Sequence, residues 1–127
     1  MSDELAGKKI LVVDDDRDIL AAIDTTLSNM GAETLTAGDG NTAVQLAEDE
    51  APDLVVLDMM LPKRSGFLVM EKIKRGKEKD DPPRVIMITG NMGTRHRLYA
   101  ESLGVDRYMN KPFRIQKLAE ACVEVLN

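Results

Sequence analysis

The chain has 127 residues, a formal net charge of −5 and 43% apolar residues: enough for one domain with a real core, too apolar for disorder, and too acidic for general nucleic-acid binding. No apolar run approaches the roughly 20 residues of a membrane span, and the opening MSDELAGKK lacks the apolar centre of a secretory signal. A single cysteine, Cys122, excludes an internal disulfide, which suits a reducing, cytoplasmic setting.

The pattern alternates between strand and helix along the chain. Ile10–Val13 is a short continuous apolar run with β-branched residues and reads as a buried strand. Asp16–Met30 carries Ile19, Ile23, Leu27 and Met30 at helical spacing, and Gly31 stops it. Ala32–Ala37 is Thr-rich and half apolar, as an edge strand is. Asp39-Gly40 reads as a turn, with Asn41 capping a helix that carries Ala43, Val44, Leu46 and Ala47. Leu54–Leu57 is a second buried strand ending at Asp58, and Pro62 and Gly66 punctuate the loop before a helix with Val69, Met70 and Ile73. A charged loop, Lys74–Asp81, closes at Pro82-Pro83. Val85–Ile88 is a third buried strand ending at Thr89. A weakly apolar helix is expected over roughly Met92–Leu103, then a short strand Val105–Met109, a break at Lys111-Pro112, and a final helix marked by Ile115, Leu118, Cys122 and Val125.

Five strand-then-helix units predict an α/β fold with a parallel sheet and helices on both faces. The three continuous apolar strands belong inside and the other two at the edges. The expected order is 2-1-3-4-5, the flavodoxin-like (βα)5 arrangement. No linker or internal repeat interrupts residues 1–127, which read as one domain.

In a parallel sheet all strand C-termini share one edge, and ligands bind there. Strand 1 ends in Asp14-Asp15-Asp16, strand 3 in Asp58, strand 4 in Thr89 and strand 5 at Lys111. Two like charges ~4 Å apart repel by about 4 kcal/mol at an effective dielectric of about 20, so the acidic run needs a helix terminus, a cation or open water. Asp16 and Asp18 suit the start of the following helix. Oxygen ligands without nearby His or Cys suit a hard cation such as Mg²⁺. An ammonium and a hydroxyl opposite them suit a phosphoryl group, and together these groups can carry out phosphoryl transfer to a carboxylate. Taken singly, each residue is explained as a cap, a turn or a surface charge; the convergence of four strand ends carries the reading. In the absence of a cation the carboxylate cluster is expected to cost folding energy.

The segments ILVVDDD (Ile10–Asp16), PDLVVLDMMLPKRSG (Pro52–Gly66), VIMITG (Val85–Gly90) and YMNKPF (Tyr108–Phe113) together resemble the receiver domain of bacterial two-component response regulators, over about Lys9 to Val125. The resemblance implies that Asp58 accepts a phosphoryl group from a phosphohistidine on a sensor histidine kinase or a histidine phosphotransfer protein. It implies a metal site for Mg²⁺, or Mn²⁺ in its place, with Asp15, Asp58 and the backbone carbonyl of Met60 as direct ligands and Asp14 acting largely through water. Thr89 and Lys111 match the switch hydroxyl and the phosphate-contacting lysine, Tyr108 the aromatic switch position, and Lys111-Pro112 a bond usually cis in that family. Catalysis is then limited to the protein's own phosphorylation and dephosphorylation. The partner is a downstream protein met by the helix 4, strand 5 and helix 5 face, by a monomer or a dimer formed on phosphorylation, with no direct contact to nucleic acid or membrane. If 127 residues is the natural length, the chain is expected to act alone or in a relay; otherwise a DNA-binding or enzymatic domain is expected beyond it.

Two positions depart from chemotaxis-type members: Met60 stands where they carry a polar residue that helps water attack, and Asn91 where they carry an acid. Slower self-dephosphorylation is expected from Met60, although packing in its loop is an equal explanation for that residue. Residues 91–117 hold six of the 17 basic side chains and two of the 22 acidic ones, so helix 4, with Arg95, His96 and Arg97 expected to face solvent, is loosely anchored and offers a surface to an acidic partner. Three other readings compete. A haloacid-dehalogenase-type phosphatase needs an acid where Met60 stands. A flavodoxin-like nucleotide module needs a Ser-, Thr- or Gly-rich first loop where three aspartates stand. A pseudo-receiver, an interaction module that is not phosphorylated, shares the fold but has no use for the complete set of site residues.

Overall fold

The alternation of side chains along the three central strands dictates a core on each face of the sheet. The computed structural model describes residues 3–90 and 94–127; Asn91 and the expected helix start at Met92 lie outside them. The elements run β1 (Lys9–Val13), α1 (Arg17–Asn29), β2 (Glu33–Ala37), α2 (Gly40–Glu50), β3 (Leu54–Asp58), α3 (Gly66–Ile73), β4 (Arg84–Thr89), α4 (Thr94–Ser102), β5 (Arg107–Asn110) and α5 (Ile115–Leu126). The sheet is parallel, in the order β2-β1-β3-β4-β5. Ile10, Val12, Leu54, Val56, Ile86 and Ile88 point to one face, where Ile23 and Leu27 of α1 and Leu118 and Cys122 of α5 cover them. Leu11, Val13, Val55, Leu57, Val85 and Met87 point to the other, against Ala43 and Val44 of α2, Val69 and Met70 of α3 and Ala100 of α4. Burial on both faces is why these strands read as unbroken apolar runs, and each fully buried aliphatic side chain contributes about 1.5–3 kcal/mol.

The helix starts follow cap chemistry. Asp16 has an extended backbone and its carboxylate accepts the N–H groups of Asp18 at 2.9 Å and Ile19 at 3.2 Å, as its position at a helix start predicted. The cap of α2 is Asp39 and not Asn41. Asp39 is extended, its carboxylate accepts the Thr42 N–H at 2.8 Å, and Gly40 is already the first helical residue. That hydrogen bond holds the Asp39 carboxyl below its ordinary range. An anionic acceptor at the positive end of the helix outcompetes the neutral amide two residues on.

Strand β5 begins later than Val105. The Asp106 N–H donates to the Val85 carbonyl, and its carboxylate accepts the Val85 N–H at 2.8 Å and Arg84 Nε at 2.9 Å, so the ladder proper opens with Ile86 opposite Arg107. Helix α4 is thinly attached. Ala100 is its one fully buried residue among those described, Leu98 is 61% exposed, and Phe67 of α3 meets the edges of Tyr99 and His96 at 5.0 and 6.0 Å between ring centres. His96 is therefore half-buried instead of facing solvent, while Arg95 and Arg97 are exposed.

Lys74, which reads as the first residue of a charged loop, is buried at the C-terminus of α3. Its ammonium donates to the carbonyls of Lys79, Asp81 and Pro83 at 2.9, 2.8 and 3.2 Å and gathers the 74–83 loop around itself. Lys74→Met keeps most of the apolar stem but removes the charged donor, so a loss of about 1.5–3 kcal/mol is expected in urea unfolding followed by circular dichroism. A loss below about 0.5 kcal/mol, within the range of an ordinary surface substitution, would show that water replaces the ammonium at no cost.

Candidate functional site

Strand register brings the site together. Val13 lies opposite Leu57 and Asp58 opposite Ile88, so the residue after β1, Asp14, stands beside the last residue of β3, Asp58, and Thr89 follows one step along β4. Thr89 in turn lies opposite Asn110, and the Lys111 N–H continues the ladder to the Thr89 carbonyl at 2.7 Å. Asp14, Asp58 and Thr89 are buried, at 0, 2 and 0% exposure, while Asp15 is exposed at the rim. Carboxylate oxygens of Asp14, Asp15 and Asp58 lie within 4.8 Å of one another. Lys111 Nζ sits 3.0 Å from Asp14 Oδ2 and 3.2 Å from Asp58 Oδ2, and the Lys111-Pro112 bond is cis, as expected.

The remaining carboxylate oxygens are held from the backbone: Asp14 Oδ1 accepts the Asp16 N–H at 2.9 Å and Asp58 Oδ1 the Met60 N–H at 3.0 Å. Burial pushes the Asp58 carboxyl from 3.8 up to about 6; the Met60 N–H opposes this, Asp14 adds to it, and Lys111 opposes it. Burial alone lowers the pKa of the Lys111 ammonium, but its hydrogen bond to Asp14 and the charges of Asp58 and Asp14 outweigh that and carry it above its ordinary value. Three carboxylates against one ammonium leave an excess of negative charge around oxygen donors only, a donor set that fits a hard divalent cation.

The flanking positions are as informative. The Met60 side chain is 62% exposed, so packing inside its loop does not explain it. Tyr108 is half-buried against the cluster that holds Ala100 and Val105; burial raises the pKa of its hydroxyl and the nearby Arg97 charge opposes the rise. Two contributors were not legible as such in the sequence. The Met60 N–H is a backbone donor and has no residue signature. Gly66 reads as loop punctuation, yet a Cβ there would lie 2.5 Å from the Asp58 carbonyl oxygen and 2.6 Å from Met59 Cα, so α3 starts directly against the backbone that carries Asp58. An apolar hollow lined by Ile19, Ala22, Pro112, Phe113 and Ile115, with Asp18 and Lys111 at its polar side, opens beside the site.

Comparison with known proteins agrees with this geometry. The family model of the response regulator receiver domain matches residues 10–123. The probable transcriptional regulator ycf27 of Cyanophora paradoxa is 42% identical over 91% of this chain and 46% of its own length. The alkaline phosphatase synthesis transcriptional regulatory protein PhoP of Bacillus subtilis is 40% identical over 84% of this chain and 43% of its own length. The chain thus spans less than half the length of these relatives. Among solved structures, a CheY-like receiver domain protein of Methanospirillum hungatei superposes with a TM-score of 0.87 at 29% identity, over 94% of this chain and 93% of its own. The chemotaxis response regulator CheY4 of Vibrio cholerae does so at 0.84 and 25%, over 94% and 98%.

The Asp58 carboxyl yields a prediction for the metal-free protein. Its folded pKa of about 6 lies above 3.8, so the fold binds the proton more tightly than the unfolded chain. The stability this contributes is fully present below about pH 4 and is lost as pH rises through about 6. Asp58→Asn is therefore expected to raise the melting temperature at about pH 7.5 and to give a smaller gain at about pH 4.5. Equal gains at both values in scanning calorimetry would remove the carboxylate charge as the source of strain.

Proposed function

The chain belongs to the response regulator receiver domain family, and on that premise we propose that Asp58 is its phosphoacceptor in two-component signalling. The donor is a phosphohistidine on a sensor histidine kinase or on a phosphotransfer protein, in the cytoplasm. The observation that carries this reading is the pairing of one ammonium, Lys111, with two buried carboxylates, Asp14 and Asp58, at 3.0 and 3.2 Å. A magnesium ion, or manganese in its place, would be held by Asp15, Asp58 and the Met60 carbonyl directly and by Asp14 largely through water, and would supply neutralisation of charge on the transferring group.

The chain's own residues account for the rest. A carboxylate oxygen of Asp58 forms a bond to phosphorus while the bond from phosphorus to the donor imidazole nitrogen breaks, and the imidazole keeps that electron pair and takes up a proton. Lys111 moves from two carboxylates to a phosphoryl oxygen, an exchange between acceptors already within reach of its side chain. Thr89 donates its hydroxyl to another phosphoryl oxygen, and the space it leaves admits the Tyr108 ring. Helix α4, held by few buried groups, then shifts between two packings that both exist beforehand, and the phosphoryl charge changes their ratio.

The output lies with a downstream partner that reads the α4, β5 and α5 face, by a monomer or a dimer formed on phosphorylation. In the transcriptional regulators to which the chain is similar, the part beyond the matched half is where such an output would reside. Chemistry is confined to the protein's own phosphorylation and dephosphorylation. Among the described residues no helix is long and apolar enough to cross a membrane.

Incubation with acetyl phosphate and Mg²⁺ is expected to add the mass of one phosphoryl group to Asp58, located by peptide mass spectrometry and absent in Asp58→Asn. No gain on the wild-type chain would favour the unphosphorylated interaction module. Rapid hydrolysis of acetyl phosphate without any adduct would favour a phosphatase. The exposed thioether of Met60 cannot orient an attacking water, so Met60→Asn is expected to shorten the lifetime of the phosphoryl group several-fold; an unchanged lifetime removes Met60 from the account.

A further inference from the structure

The loop between β3 and α3 carries Met60, and its far side is held by an element that no part of the site includes. Gly40, the first residue of α2, is buried and donates its N–H to the Pro62 carbonyl at 3.3 Å. A Cβ on Gly40 would lie 2.1 Å from the Arg64 carbonyl oxygen, 2.5 Å from Arg64 Cβ and 2.8 Å from the Arg64 carbonyl carbon. Two of these three atoms are backbone, so no side-chain rotation relieves the overlap and the loop itself has to move. The loop has little slack for such movement. Lys63 already adopts a left-handed backbone at φ 67°, a conformation uncommon outside glycine. The Arg64 N–H closes a tight turn onto the Pro62 carbonyl at 2.7 Å. At the near end Met59 is tied to the Ile88 carbonyl and Gly66 to the Met59 carbonyl, at 2.9 and 2.8 Å.

We propose that Gly40 is a positioning residue for the phosphoryl-transfer site: by its missing side chain it lets the start of α2 seat the loop from Met59 to Ser65, and through that loop it sets where the Met60 carbonyl points. The proposal rests on the reading of Met60 as a metal-binding carbonyl. Loss of a contact made directly to a ligand typically changes metal affinity 10–100-fold; Gly40 acts one step further back, through Pro62 and Arg64, so its effect belongs at the lower end of that range. Coupling of this kind runs in both directions, so binding at the site changes the environment of the Gly40 amide.

The test is an NMR titration of the full chain with Mg²⁺, following the amides of Met60 and Gly40 in wild type and comparing Gly40→Ala with Gly38→Ala. Gly38 has nothing within 4 Å of the Cβ it would gain and no left-handed backbone, so it controls for the substitution itself. In the wild type both amides are expected to move with one midpoint. In Gly40→Ala the midpoint is expected to rise roughly tenfold, measured well below that variant's own melting temperature, while Gly38→Ala keeps the wild-type midpoint. A purely structural role lowers the melting temperature and leaves the midpoint alone, and that result would overturn the proposal. So would a wild-type Gly40 amide that stays still while Met60 moves, a measurement that does not depend on any variant folding. Failure of the wild-type chain to respond to Mg²⁺ at all is a different result: it would overturn the metal reading first and this inference with it.

Discussion

One ammonium held between two buried carboxylates is the constraint around which the rest of the molecule is arranged. At about 3 Å and an effective dielectric of about 20, an opposite-charge pair attracts by about 5 kcal/mol before desolvation is counted. Lys111 therefore offsets much of the repulsion between Asp14 and Asp58, but a single positive charge cannot also neutralise Asp15. The Asp58 carboxyl is still pushed up to about 6, chiefly by burial and further by the Asp14 charge, with the Met60 N–H and Lys111 opposing the rise. Oxygen donors with excess negative charge are a set that fits a hard divalent cation, and the proposed phosphoryl transfer would use the same lysine.

The fold places that cluster with few long-range devices. In a parallel sheet one register decides which strand ends are neighbours, and here Val13 lies opposite Leu57 and Asp58 opposite Ile88. Shifting β1 by one residue would turn Ile10 and Val12 to the opposite face and separate Asp14 from Asp58 together. The core and the site are thus fixed by the same pairing. The loops above the strands are then trimmed by steric means: Gly66 lets α3 begin against the backbone of Asp58 and Met59, and Gly40 lets α2 begin against Arg64.

The face that would transmit a signal is built differently from the core. Strands β1, β3 and β4 are closed on both sides, whereas α4 rests on Ala100, on the edges of the Phe67, Tyr99 and His96 rings and on a hydrogen bond from the Tyr99 hydroxyl to Glu71 at 2.7 Å. With Ala100 as the one buried residue among those described in it, that helix belongs to the less strongly held part of the fold. A rigid base under the chemistry and a lightly held helix beside it suit a domain that responds to modification at one point.

The five strand-and-helix units, their order in the sheet and the identity of the residues at the strand ends were legible from the amino acids, because hydrophobic periodicity and the handedness of βαβ crossovers leave few other arrangements. The sequence also brought Asp58, Thr89 and Lys111 together as strand ends of one sheet edge, and it carried the resemblance that implies their roles. The remaining features come from contacts between distant segments. That Lys111 bridges Asp14 and Asp58, that Lys74 turns inward to three carbonyls, that His96 is half-buried against Phe67 and that Asp39 and not Asn41 caps α2 all depend on distances between segments or on backbone angles. The roles of Gly40 and Gly66 are the clearest case: a missing side chain has no periodicity and no charge to read, and only the backbone passing within about 2–3 Å shows why nothing larger fits there.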